Sequence, residues 1–183
     1  PHRLRSGLVV GLTVGAGLGS ASGYPNDTTR IGDPRAYSAS GAMVGTSENF
    51  FVMGALTDYV SFGVWYGRAV SSNRGWQSSG GGGGVRVEVF PFVGVSRYLT
   101  GLGAVAQFGL GSGDLSRKAT GMTVSEGTQS FGAAGAFYEW AFGRVLGGHF
   151  GVGPGVEYDA IWSQPFERHG LVATARLVFY GGP

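Results

Sequence analysis

Six charged residues sit inside otherwise apolar stretches of this chain: Arg86, Glu88, Glu139, Glu157, Asp159 and Arg176. Two arginines among four carboxylates have the makings of a proton or ion path, and Glu157 with Asp159 has the makings of an acid–base pair. Each chemistry needs a supporting context. On a strand, residues i and i+2 merely share a face, so the Glu157/Asp159 spacing is not evidence of catalysis. The histidines are His2, His149 and His169, and no serine occupies the elbow motif of a Ser/His/acid set; an enzymatic role has no support. Asn26-Asp27 and Asp33 match no calcium-loop spacing. Cysteine is absent, which removes thiolate metal sites and a thiol nucleophile together. The run Gly80–Gly84 has no Lys-Ser/Thr after it and is no phosphate cradle. No catalytic, cofactor-binding or metal-binding residue is assigned, and no cofactor is expected.

The surroundings of the six charges explain them better. Arg86 and Glu88 alternate with Val85, Val87 and Val89; Glu139 with Tyr138 and Trp140; Glu157 and Asp159 with Val156, Tyr158 and Ala160; Arg176 with Ala175 and Leu177. Alternation of period two marks strands that face two environments, and every charge falls opposite the apolar row. Gln107 falls on the same side as the charges. In a barrel whose outer face meets hydrocarbon, an outward charge costs about 2–4 kcal/mol at midplane. The seven polar residues are therefore expected inside, with Arg86 and Arg176 paired across a filled lumen against the carboxylates.

Eight such segments can be read, at about Ser6–Gly19, Ala36–Ala55, Val60–Val70, Val85–Ser96, Gly101–Gly111, Thr128–Phe142, His149–Trp162 and Leu171–Tyr180. The first sets Leu8, Val10, Leu12, Val14, Ala16 and Leu18 against glycine-rich odd positions; a helix there would lose close to 1 kcal/mol per glycine. Ala36–Ala55 reads as one long strand with a bulge at Thr46–Asn49, or else as two short strands. Pro91 removes a ladder donor and predicts an irregularity beside it.

Polar, glycine-rich stretches near Ser20–Arg35, Ser71–Gly84, Ser112–Gly127 and Ser163–Gly170 predict long loops. Short turns are predicted near Leu56–Tyr59, Arg97–Gly101 and Gly143–Gly148. Long and short connections then alternate, with all long loops at one end. Together with an even strand count, this is the pattern of an all-β, eight-stranded, antiparallel up-and-down barrel crossing a bacterial outer membrane, a single domain over residues 1–183. Clusters of aromatics near strand ends, namely Tyr138, Trp140, Phe142, Tyr158, Trp162 and Phe179, fit the two interfacial girdles of such a barrel.

Composition agrees. Charged residues make up 13% of the 183, about half the usual ~25%, too few to coat a soluble domain. Glycine accounts for 37 residues and proline for only 7, without a collagen repeat. No apolar run approaches the ~18 residues of a membrane helix. The formal charge is +2 and Lys118 is the only lysine. Scattered arginines suit lipid phosphates better than nucleic acid, which wants a clustered basic stripe. The opening Pro1-His2-Arg3-Leu4-Arg5 lacks Met and a leader, and reads as a mature chain after signal removal.

The chain resembles the small eight-stranded outer-membrane barrels of the OmpA and OmpX type, and the unassigned outer-membrane β-barrel proteins of Gram-negative bacteria. Gly54-Ala55-Leu56-Thr57-Asp58-Tyr59-Val60 is similar to their strand–turn–strand junction, and Ala173, Ala175, Leu177 and Phe179 to their alternating last strand. Gly181-Gly182-Pro183 departs from the usual terminal Phe and reads as a short tail or an artificial end. The resemblance implies the fold and an outer-membrane location, and fold alone does not imply function. The expected function is that of a non-enzymatic barrel with a structural, surface-binding or envelope-assembly role. Its implied partners are outer-membrane lipid or lipopolysaccharide and other envelope proteins, with no nucleic acid. Tyr24, Ile31, Trp76, Leu115 and Met122 are candidate loop anchors. The alternatives are a narrow channel or lateral transporter for small apolar molecules, and a soluble ligand-binding barrel.

Overall fold

The computed structural model describes residues 5, 7–145 and 147–182, with the backbone alone at residues 129, 144 and 145. Pro1–Leu4, Ser6, Leu146 and Pro183, on which readings of the chain start, the first strand, one turn and the tail partly rest, lie outside the described residues.

Eight antiparallel strands form the wall: β1 Gly7–Gly23, β2 Met43–Ala55, β3 Val60–Ser72, β4 Trp76–Val89, β5 Leu102–Arg117, β6 Met122–Tyr138 resuming as Trp140–Val145, β7 Gly148–Trp162 and β8 Phe166–Gly181. Neighbours in sequence are neighbours in space, and β8 pairs with both β7 and β1, so the sheet closes. The fold is an all-β, up-and-down barrel without a free edge.

The register fixes its shape. Ala136 on β6 leads through paired Val156, Ala173, Ala16, Thr46, Val70, Ser79 and Asp114 back to β6 at Glu126, ten residues from the start (136 to 126). For eight strands that offset means a tilt of about 40°. Period-two alternation then sorts the side chains. Leu8, Leu12, Leu18, Phe62, Val64, Val85, Leu110, Leu171 and Leu177 are exposed on the outer face. From Leu8 to Leu18 the apolar belt is about 25 Å tall at this rise and tilt. Val9, Phe51, Met53, Trp65, Val178 and Tyr180 pack inside. Small inward residues make room for large ones: a Cβ on Gly11 would overlap the Phe51 ring.

Three expected long loops are instead strand. Only residues 73–75, 118–121 and 163–165 connect β3–β4, β5–β6 and β7–β8. Gly80–Gly84 lies in β4, paired to Trp65–Ala69 on β3 and Gly109–Gly113 on β5. Arg168 and His169, read as loop, belong to β8. Polar, glycine-rich segments imitate loops because they lack apolar alternation. Above an apolar belt, however, both faces of a hairpin can be polar while the ladder still satisfies the backbone. The 118–121 turn closes on Gly121, whose φ of 66° favours glycine. The remaining connection at this end, residues 24–42, is long and contributes a two-residue strand, Ser38–Ala39, paired to Ser22–Gly23.

At the opposite end, where Gly7 and Gly181 lie, residues 56–59 make a short turn. Residues 90–101 are longer than the turn expected there, because β4 stops at Val89 beside Pro91. Val93, which continues the period of outward Val85, Val87 and Val89 in the expected strand Val85–Ser96, is instead buried with Phe90, Val105 and Phe137. Long and short connections therefore do not alternate; each end has one long one. Met43–Ala55 is a single strand, paired without a bulge through Thr46–Asn49 on both sides, and β6 breaks at Glu139.

Candidate functional site

Among the described residues, eight charged side chains lie out of solvent, Arg5, Arg86, Arg168 and Arg176 against Glu88, Glu139, Glu157 and Asp159. Strand alternation carries all but Arg5, which precedes β1, and Glu139, at the break in β6. The formal charges of these eight side chains sum to zero. Glu88 on β4 is the hub. It accepts from Arg176 Nη1 and Nη2 at 2.9 and 3.0 Å and from Arg86 Nε at 2.9 Å. Arg176 also reaches Glu139 Oε2 at 3.1 Å, to which Tyr180 donates at 3.0 Å. Aromatic faces cover the cations: Arg176 stands 3.8 Å from the Phe137 centroid and Arg86 stands 4.2 Å from that of Phe51. Shared charge-assisted bonds and ring faces are what such buried groups require.

Arg5 closes this network from below. Its backbone N–H donates to Asp58 Oδ1 at 2.9 Å, and its Nη2 donates to the Thr100 carbonyl at 3.2 Å. The guanidinium lies 3.5 Å from the Phe90 ring centroid and 3.8 Å from Glu139 Oε1. Arg5 thus ties two of the connections at this end, residues 56–59 through its backbone and 90–101 through its side chain, to Glu139 at the break in β6.

Higher in the lumen, Gln107 Nε2 donates to Glu157 at 3.1 Å, and Arg168 Nη1 to Asp159 at 3.4 Å. Glu157, Asp159 and Arg168 border a cavity of about 30 Å³ with Asn49, Trp65 and Phe131, room for roughly two waters. Above it Ala21, Met43, Leu115, Ile161 and Phe166 form an apolar cluster. Leu115, a candidate anchor for a partner, is fully buried there. Trp76 packs against the same cluster, whereas Met122 is exposed.

All seven polar residues named from sequence face the lumen and are buried, but in two groups. Arg86, Glu88, Glu139 and Arg176 share one network; Gln107, Glu157 and Asp159 meet above it, with Arg168. Arg168 lies before the expected strand Leu171–Tyr180 but within the observed β8, on the same face as Val172 and Gly170, where extending the alternation backward points to it. Arg5 precedes the first strand and carries no periodic signal.

The six aromatics all turn outward. Tyr138, Trp140, Phe142 and Phe179 lie toward the end that holds Gly7 and Gly181, and Tyr158 and Trp162 toward the other. Tyr138 Oη donates to the Tyr98 carbonyl at 2.6 Å. Tyr158 and His169 share a hydrogen bond of 2.8 Å on the outer face. In the 24–42 loop, the hydroxyl and amide of Thr29 donate to Asp27, and these bonds, with Arg30 nearby, hold its carboxyl below the usual aspartate range. Among the described residues, no group of three or more His, Asp or Glu side chains is placed to hold a metal ion.

No protein-family model matches the chain, and no curated protein does. Solved structures do. Ail, the attachment invasion locus protein of Yersinia pestis, matches over 94% of this chain and 99% of its own, at 12% identity and a TM-score of 0.51. Neisserial surface protein A matches over 93% and 96% at 13% identity and 0.46. The N-terminal β-barrel domain of Pseudomonas aeruginosa OprF matches over 94% and 98% at 12% identity and 0.45. At these identities the likeness is one of fold, and the fold is that of the small eight-stranded transmembrane barrels of the OmpA/OmpX type.

Proposed function

We propose that this protein is a non-conducting, non-enzymatic barrel of the bacterial outer membrane that works through its outside rather than its lumen. The observation that carries this reading is the blocked interior. From Arg5 and Phe90, through the Arg176–Glu88–Glu139 network, to the Leu115–Phe166 cluster, side chains fill the bore of a barrel whose strand number leaves room for little else. In this reading the apolar belt meets lipid. The 24–42 loop and the polar upper halves of the hairpins stand in the lipopolysaccharide layer and beyond, where they contact lipid headgroups and other envelope or surface molecules. Ail, named for attachment and invasion, uses the same fold.

Planar-bilayer recording with the purified protein tests the claim about the lumen: no stable single-channel steps are expected, and reproducible steps would move the function to transport. Surface labelling of intact cells tests the orientation. Asn26→Cys should react with an impermeant maleimide and Thr57→Cys should not; the reverse result sinks the assignment.

A further inference from the structure

Arg68 and Glu48 break the rule that charge points inward. They occupy paired positions on β3 and β2, with Arg68 Nε 3.2 Å from Glu48 Oε2, and their side chains are 65% and 54% exposed on the outer face. Along β2 Glu48 lies between Thr46 and exposed Phe50, with exposed Val44 beyond Thr46, and exposed Tyr66 and Val70 flank Arg68 along β3. Gly81 pairs with Arg68 on the far side, so no side chain fences the guanidinium from β4. Within the apolar belt no other charged side chain points outward among the described residues.

We propose that this patch is the contact face of a parallel homodimer in the membrane, with the two-fold axis along the membrane normal between β2 and β3. The inference rests on the membrane placement given above. A positive and a negative group side by side complement their own two-fold image. Rotation about that axis sets Arg68 opposite the partner's Glu48 and Glu48 opposite the partner's Arg68. Phe50 and Tyr66, themselves a paired row, likewise come to face each other across the axis. The intramolecular bond uses only Nε and Oε2, and a second copy brings each charge a second partner away from water, where such bonds are strongest. A lipid phosphate is the poorer occupant, because Glu48 repels it. A water-soluble protein cannot reach a patch inside the belt.

The test is energy transfer between donor- and acceptor-labelled full-length protein in phosphatidylcholine vesicles, read against protein-to-lipid ratio. Flotation with the vesicles and heat-modifiable gel migration report insertion and folding separately, so a failed membrane placement is distinguishable from a failed dimer. Wild type should show transfer that persists on dilution. Glu48→Arg and Arg68→Glu should each weaken association by about tenfold or more, and the double exchange, which keeps one charge of each sign, should restore it. If a single reversal does not insert, Thr46→Trp, which adds bulk beside the charge row, should separate the copies instead. Transfer at the random-collision level, single variants that associate like wild type, or an exchange no better than the singles overturns the proposal. So does association that appears only when lipopolysaccharide is added, which would mark a lipid bridge.

Discussion

Arg176 on β8 and Glu88 on β4 lie on opposite sides of the eight-stranded ring and meet across it in two parallel hydrogen bonds of 2.9 and 3.0 Å. The pair is a strut between walls that share no ladder. Removing Arg176 leaves Glu88 with Arg86 alone and Glu139 with the more distant Arg5, so the closed lumen carries one uncompensated negative charge. Arg176→Ala should therefore cost about 3–5 kcal/mol, read as a shift in urea unfolding in detergent micelles. Arg176→Lys should recover only part of it, since an ammonium lacks the planar fork. An alanine variant as stable as wild type would show that the strut bears no strain.

The glycine-lined section of wall makes a contrasting prediction. A Cβ on Gly84 would run into the Phe108 carbonyl oxygen, and one on Gly109 into that of Gly83. Both are backbone atoms with little freedom to retreat. Gly84→Ala and Gly109→Ala should abolish or sharply slow barrel folding into vesicles, followed by gel migration. Gly54→Ala meets nothing within 4 Å and should stay within about 0.5 kcal/mol of wild type. Equal tolerance at all three positions contradicts the close approach of β4 and β5.

The height of the apolar belt can be measured by placing a charge in it. Leu12, exposed on the outer face at mid-belt, should lose about 2–4 kcal/mol of stability in a bilayer when changed to Arg, and Gln77→Arg, beyond the belt, about 0–1. Were the two costs the same in lipid vesicles, the wall would not be facing hydrocarbon at Leu12.

Asp27 gives a pH dependence outside the membrane. Its folded-state pKa is depressed by the Thr29 hydroxyl first and the Thr29 amide second. The turn it caps is thus fully supported above the unfolded aspartate pKa, and the support fades as pH falls through the lower folded value. Carboxyl NMR should show a midpoint below that of an ordinary aspartate, and Thr29→Ala should move it upward. An unchanged midpoint in that variant removes the hydroxyl as the cause.

Reading the chain as alternating rows was enough for strand number, facing and closure, because one face of each strand is apolar along most of the belt. Arg86, Glu88 and Glu157 were placed by the same rule. Legibility failed where that contrast vanishes. Along Ser71–Gly84 and Ser112–Gly127 neither face carries a continuous apolar row, only isolated residues such as Trp76 and Leu115, so a ladder and a loop look alike in composition. Val93 failed for a different reason: β4 stops at Val89 beside Pro91, and Val93 turns inward under the barrel while Val95 stays exposed. Arg5 was invisible because a residue outside any regular element leaves no period to detect.

The hairpins of β5–β6 and β3–β4 continue as ladder roughly 10–20 Å past the apolar belt at this rise and tilt, and only residues 24–42 form a long irregular segment at that end. In the proposed orientation, a molecule arriving from outside would meet a laddered parapet already in its final shape. Recognition there forgoes the ordering cost that a floppy loop imposes, at the expense of plasticity. Grafted peptides should accordingly be accepted within residues 24–42 and rejected at the three-residue crests of residues 73–75 and 163–165.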